Sequence, residues 1–274
     1  MLRKITVLAM LLTPIAGNSE VLDQNSIYEG YIRGKGQDIK LSPRFEMFIR
    51  AAIENTEGDK SKAESMFRES ARMGLAPAEY ELGLLLSGKN RSESERWISL
   101  ASEHGYAPAQ CDVAWKILQS LGKIKDKAKK EKATKQYEEL AEKSARQGYA
   151  GCQLLQAMLP STPLDKRREL LLASAKQGMP NAQATLAEMY MSGSGILKNN
   201  IQAYAWFLNA KANNAPALKL YKTHDPINYL RGVMSDQDVA QAEKLAEEYY
   251  SSVINTDHAY QWESASTEKG SPAK

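Results

Sequence analysis

The chain of 274 residues is poor in the groups that usually carry chemistry, with two cysteines, Cys111 and Cys152, and three histidines, His104, His224 and His258. No histidine pair and no cysteine cluster stands at metal-ligand spacing, so no metal site is expected. The nucleophile pattern G-x-S-x-G is missing, and no catalytic residue is assigned. Gly193-Ser194-Gly195 lacks the lysine and the preceding strand of a phosphate loop; it reads as a tight turn between helices, and no cofactor is implied. Charge of one sign is also scarce: 36 Lys and Arg against 33 Asp and Glu leave +3. That balance, with no basic motif, argues against a nucleic-acid partner. Long apolar runs are missing too. The run Ile5 to Leu12 spans eight residues, too short to cross a bilayer.

That short run has a position and company of its own. Arg3 and Lys4 precede it, and Thr13, Pro14 and small residues follow, which is the order of a secretory signal. Residues 1–19 are therefore expected to be a signal peptide, cleaved after Gly17 or Ser19. Without Arg3 and Lys4 the formal charge falls from +3 to +1. The expected location is the periplasm, or alternatively the medium, and the mature protein is expected to be soluble and not membrane-spanning. Residues 20–42 are expected to form an extended lead-in and 252–274 a disordered polar tail.

Between those ends the chain repeats itself. Ser70-Ala71-Arg72-Met73-Gly74, Ala101-Ser102-Glu103-His104-Gly105, Ser144-Ala145-Arg146-Gln147-Gly148 and Ser174-Ala175-Lys176-Gln177-Gly178 share one pattern, their glycines 31, 43 and 30 residues apart. A fifth, weaker copy has Asn214 at the glycine position. Glycine in the left-handed conformation stops a helix, and Asn tolerates that geometry. Pro or Ala then opens the next helix. On the opening helices one column is small (Ala78, Ala109, Cys152, Ala182). A second is apolar except for Gln156 (Leu82, Val113, Leu186), and a third is small again (Gly83, Ala114, Ala157, Ala187). Helix pairs are expected at about 43–74, 76–105, 107–148, 150–178 and 180–213, with a capping region to about 251. Such pairs cannot bury their faces alone and must stack. The expected fold is all-α, a right-handed α-solenoid of stacked antiparallel helix pairs over residues 43–251.

The stop glycines and small columns resemble the Sel-one-like repeat family, relatives of the tetratricopeptide repeats. The best copy contains Ala182-Gln183, Leu186-Ala187, Met189-Tyr190, Gly193-Ser194-Gly195-Ile196 and Ala203-Tyr204-Ala205-Trp206. It is similar to the family's A-Q, L-G, Y, G-x-G and A…W pattern. Ala187 stands where the family has its first glycine, and Asn199 or Asn200 replaces the acidic residue after the turn. Met234-Ser235-Asp236-Gln237-Asp238 resembles the family's closing helix, with Ser235 able to cap it and Asp238 at the capping-box position. The resemblance implies a scaffold that binds another protein, with no enzymatic activity of its own.

In such a solenoid the first helices line a groove. The side chains expected to be exposed there are Glu81, Asp112, Leu155 and Thr185, and one turn on Leu84, Trp115, Met158 and Glu188. The candidate protein-binding residues are Glu81, Leu84, Asp112, Trp115, Thr185 and Glu188, with Trp115 as the aromatic anchor. One repeat is longer by about twelve residues, and the extra length, around Lys123 to Lys135, carries seven lysines. It reads as a lengthened, solvated helix, or as a basic edge that steers an acidic partner or an anionic envelope surface. Cys111 and Cys152 are a possible disulfide in an oxidising compartment, or else two small buried thiols. The partner is unidentified, and a capped solenoid can be monomeric. The functions that fit are a periplasmic or secreted binding scaffold, including an immunity protein against a secreted toxin. Behind it stand a cell-wall or β-lactam hydrolase-like enzyme and a secreted host-interaction factor.

Overall fold

The computed structural model describes residues 43–221 and 225–253. The expected signal, the lead-in and the tail beyond residue 253 lie outside them, as do His224 and His258. The described residues form twelve α-helices and two short 3-10 turns, with no strand among them. The chain divides after Gln147 into two compact units.

The first unit holds α1 (Pro43–Glu57), α2 (Lys60–Arg72), α3 (Ala76–Leu86), α4 (Arg91–Glu103), α5 (Ala107–Ser120), a 3-10 turn (Leu121–Lys123) and α6 (Lys127–Arg146). The second holds α7 (Ala150–Met158), α8 (Leu164–Lys176), α9 (Pro180–Ser192), α10 (Asn200–Ala212), a 3-10 turn (Pro216–Leu220), α11 (Pro226–Val233) and α12 (Asp236–Val253). Within each unit consecutive helices pack on one another as far as α11, and in the second α12 closes onto α10. This is the all-α solenoid of antiparallel helix pairs that the repeat requires.

The helix stops are made as the sequence predicts. Gly74, Gly105, Gly148 and Gly178 have φ of 75°, 87°, 86° and 85°, and Asn214 has φ 53°. Past each stop the chain folds back on the helix it has left. Tyr106 N–H donates to Ala101 O at 3.0 Å, Met179 N–H to Ser174 O at 3.2 Å and Ala215 N–H to Ala210 O at 2.8 Å. This satisfies carbonyls that the helix end leaves without partners. The starts are capped where side chains allow: Asp59, Asn90, Asp126, Asn199 and Asp225 each accept from a backbone N–H in the first turn. Ser235 Oγ accepts from Asp238 N–H at 3.2 Å and donates to its carboxylate at 2.8 Å.

The small columns let helices approach closely. Ala78, Ala109, Cys152 and Ala182 are all fully buried. Gly83 lies so near α4 that an added Cβ would stand 2.6 Å from Ile98 Cγ1 and 3.2 Å from Ser94 O. The serine that opens each stop sequence ties its helix back to the first turn of the partner helix. Ser70 Oγ donates to Arg44 O, Ser144 Oγ to Ala107 O and Ser174 Oγ to Ala150 O, at 2.7, 2.7 and 2.8 Å. The second pair has Ala101 at this position, and there Ser94 Oγ donates to Gly83 O at 2.6 Å instead. The closing helix is fixed by stacking of Tyr249 on buried Trp206, ring centroids 4.2 Å apart, and by Asn209 Nδ2 donating to Ala246 O at 3.0 Å.

Candidate protein-binding face

The residues singled out for binding fall into two sets. Glu81 and Leu84 on α3 and Asp112 and Trp115 on α5 belong to the first unit, Thr185 and Glu188 on α9 to the second.

In the first unit α3 and α5 meet through their side chains. Tyr80 Oη donates to Asp112 Oδ2 at 3.1 Å, and the Tyr80 ring meets the Tyr106 ring edge-on at 5.4 Å. Ile98, Ala101, Ala109 and Val113 complete that apolar cluster. Asp112 was expected to be exposed in the groove. It is instead only 9% exposed, because the Tyr80 hydroxyl draws its carboxylate into the joint between consecutive first helices. Leu155 departs in the same way: it is 2% exposed, part of the core of α7. The column one turn further on remains open. Leu84 is 40% exposed and Met158 61%, while Trp115 is half-buried. Glu81 is half-buried, and burial pushes its carboxyl up to about 7. A carboxyl held there changes charge near neutrality, unlike a solvated one.

In the second unit the two residues are engaged within the fold. Thr185 Oγ1 donates to Asn181 O at 2.8 Å. The Glu188 carboxylate accepts from the Tyr221 hydroxyl. Tyr221 in turn packs edge-on against Phe207 at 6.4 Å, and burial together with that carboxylate pushes its own ionisation upward. Gly193 and Gly195 form the turn between α9 and α10, both left-handed at φ 76° and 75°. A Cβ on Gly195 would collide with the Leu164 side chain, so this turn is shaped by packing.

A recurrent polar clasp escaped the sequence reading. The residue after the small column pairs with the residue before the helix stop. Gln147 Nε2 donates to Gln110 Oε1 and Gln177 Nε2 to Gln153 Oε1, each at 2.9 Å, and Asn213 Nδ2 donates to Gln183 Oε1 at 3.0 Å. In the second helix pair the same positions hold Glu79 and His104. His104 Nδ1 stands 2.9 and 3.0 Å from the two carboxylate oxygens of Glu79. A helix C-terminus favours a cation at His104, and the structure adds a carboxylate partner. The Glu79 side chain is 1% exposed, and burial raises its pKa while the hydrogen bond from His104 offsets part of that rise. The signal was present in the repeat: an unbroken polar column, Glu79, Gln110, Gln153 and Gln183, lying inside a buried helix face.

No protein-family model and no curated protein matches the sequence. Solved structures do resemble it. One is c5321, described as a protective antigen present in uropathogenic Escherichia coli strains and displaying an SLR fold; the TM-score is 0.60 at 21% identity. The match takes in 100% of this chain and 57% of that one, so the chain spans little more than half the length of c5321. A second is a Sel1 repeat protein from Oxalobacter formigenes, with TM-score 0.53 and 17% identity over 80% of this chain and 90% of that one. The chain has the Sel1-like repeat fold. The stop glycines, the small columns and the A…W helix of α10 are the sequence features of this Sel1-like solenoid. No described helix is long and apolar enough to cross a membrane, and no described group of His, Cys, Asp or Glu is placed to hold a metal ion.

Cys111 and Cys152 are both fully buried, and neither is a free thiol.

Proposed function

We propose that this protein is an exported scaffold that binds another protein through the open column of its first helices. The observation that carries this reading is the side chain left uncovered there. Buried columns on either side are filled to closeness, yet Leu84 stays 40% exposed and Met158 61%. Partly exposed Met and Trp side chains on rigid helices are what interfaces are enriched in, and Leu84 adds apolar area beside them. Glu81 borders Leu84 on α3, and Trp115 holds the matching place on α5. Asp112, bonded to Tyr80, fixes the joint between α3 and α5 behind that column.

Export is supported by the signal-like order of residues 1–19 and by the cysteines. The two are the only cysteines in the chain, and both are disulfide-bonded. A Cys111–Cys152 bridge is maintained in an oxidising compartment such as the periplasm. Within this reading the narrower role is immunity, in which the scaffold neutralises a toxin delivered to the periplasm; a secreted effector encoded by the adjacent gene would support it.

The test is to express the chain from its own N-terminus with a C-terminal tag, fractionate the cells, and identify what co-purifies. The expected result is a protein lacking its first residues, in the periplasm or the medium, bringing one protein partner in stoichiometric amount. Recovery from the cytoplasm with residues 1–19 intact would overturn the export reading.

A further inference from the structure

The longest helix of the first unit carries an unusual charge. Residues Lys123 to Lys135 hold seven lysines (Lys123, Lys125, Lys127, Lys129, Lys130, Lys132 and Lys135) against Asp126 and Glu131, a net of +5. The whole chain is only +3, so everything else sums to −2. The positive charge of this protein is concentrated in one place.

The structure shows what that place is. α6 has 20 residues and its partner α5 has 14, so α6 is about 9 Å longer at 1.5 Å per residue. Its buried side chains are Tyr137, Ala141, Ser144 and Ala145, all in the second half of the helix. The first half buries nothing fully, and all seven lysines are exposed. None of their ammonium groups is ion-paired among the described residues, whereas cations elsewhere are paired along their own helices, as Arg50 with Glu46, Arg91 with Glu95 and Arg146 with Glu142. The cations also sit at the wrong end for stability. A helix N-terminus carries partial positive charge and favours anions, yet the first turn of α6 has no acidic side chain. Only the Asp126 cap offsets the cations, and a helix that gathers this much like charge at its N-terminus points to a use outside the fold.

The chemistry of the arm selects among anionic partners. It contains lysine and no arginine, and no aromatic residue. Protein interfaces are enriched in arginine and aromatic anchors and depleted in lysine, and specific phosphate recognition draws on the arginine fork. Lysine is a hydrated point charge, suited to a delocalised negative surface that asks for no fixed geometry. Clusters of four to eight such charges on a helix are what anionic headgroups attract. The lysines at 127, 129, 130, 132 and 135 are spread around the helix, so several face any flat surface that it meets.

We infer that the projecting first half of α6 is an electrostatic docking arm for an anionic lipid surface, which holds this scaffold against a membrane without insertion. The contact is made by Coulomb attraction and counterion release alone, so it is reversible and steeply dependent on salt.

The experiment is co-sedimentation of the full chain with vesicles of phosphatidylglycerol and phosphatidylcholine in equal parts, beside vesicles of phosphatidylcholine alone. The wild type is expected to pellet with the first and not the second, and to be released by 0.5 M NaCl. K127Q/K129Q/K130Q/K132Q is expected to weaken binding at least a hundredfold. The four arginine replacements at the same positions are expected to retain it. Circular dichroism should be unchanged in both and the melting temperature should not fall, because every altered side chain is exposed. Equal pelleting with both vesicle types, or unaltered pelleting of the glutamine variant, would overturn the inference. So would an arm that ignores vesicles but binds an acidic protein or RNA.

Discussion

Glu79 and His104 occupy a position that three other helix pairs fill with neutral amides, and the exchange introduces a titration into the core. Burial raises the Glu79 pKa, so the folded chain binds its proton more tightly than the unfolded chain does. The associated stability is present below the ordinary carboxylate value and lost as pH rises through the raised one. E79Q/H104Q installs the amide pair of the neighbouring repeats. Its melting temperature relative to wild type should rise between pH 4 and pH 8; a difference that is flat across that range would show that Glu79 is not the titrating group. Gly83→Ala is expected to cost about 1–3 kcal/mol, because the new Cβ meets Ile98 at 2.6 Å. Denaturant unfolding would measure it. At this scale the columns could be read from the repeat, since a small residue that recurs at the same place in every helix pair marks where two helices touch. The clasp could not, because the sequence does not say which of two polar columns faces the other across a helix pair. Asp112 went astray for the same reason: its exposure was decided by a tyrosine one repeat earlier.

The helix boundaries were legible because their causes are local. A left-handed glycine and the Pro or Ala after it define an end and a start whatever the tertiary packing, and all four predicted glycines and Asn214 adopt that conformation. The ties between helices are less visible. Ser144 reads from sequence as one more small residue, yet its hydroxyl joins the end of α6 to the start of α5. Ser144→Ala should destabilise the protein by about 1 kcal/mol, while Ser120→Ala, whose hydroxyl bonds only within its own helix turn, should cost less. Thermal unfolding of the two variants side by side would show it. The longer repeat was visible as a change of spacing, and its cause is now plain: the added residues form the 3-10 turn and the projecting half of α6.

Over the whole molecule, periodicity gave away the fold and left the partner obscure. Stacked helix pairs follow from physics that every repeat shares. A binding face is instead built from the residues in which repeats differ, and no periodicity marks those. The proposed Cys111–Cys152 bridge is one such difference. Replacing both residues by alanine should lower stability by up to about 4 kcal/mol for a closed loop of this length, as followed by urea unfolding of protein kept oxidised. The central claim is that the open column of the first helices captures a protein. The measurement that tests it most directly is a titration of the co-purified partner against wild type, L84D, W115A and a control, R96E, on the exposed face of α4. The account predicts that L84D and W115A weaken binding thirtyfold or more, as loss of an anchor worth about 2 kcal/mol requires, with R96E unaffected. Full affinity in L84D and W115A, or loss confined to R96E, would contradict it and move the binding face to the second helices.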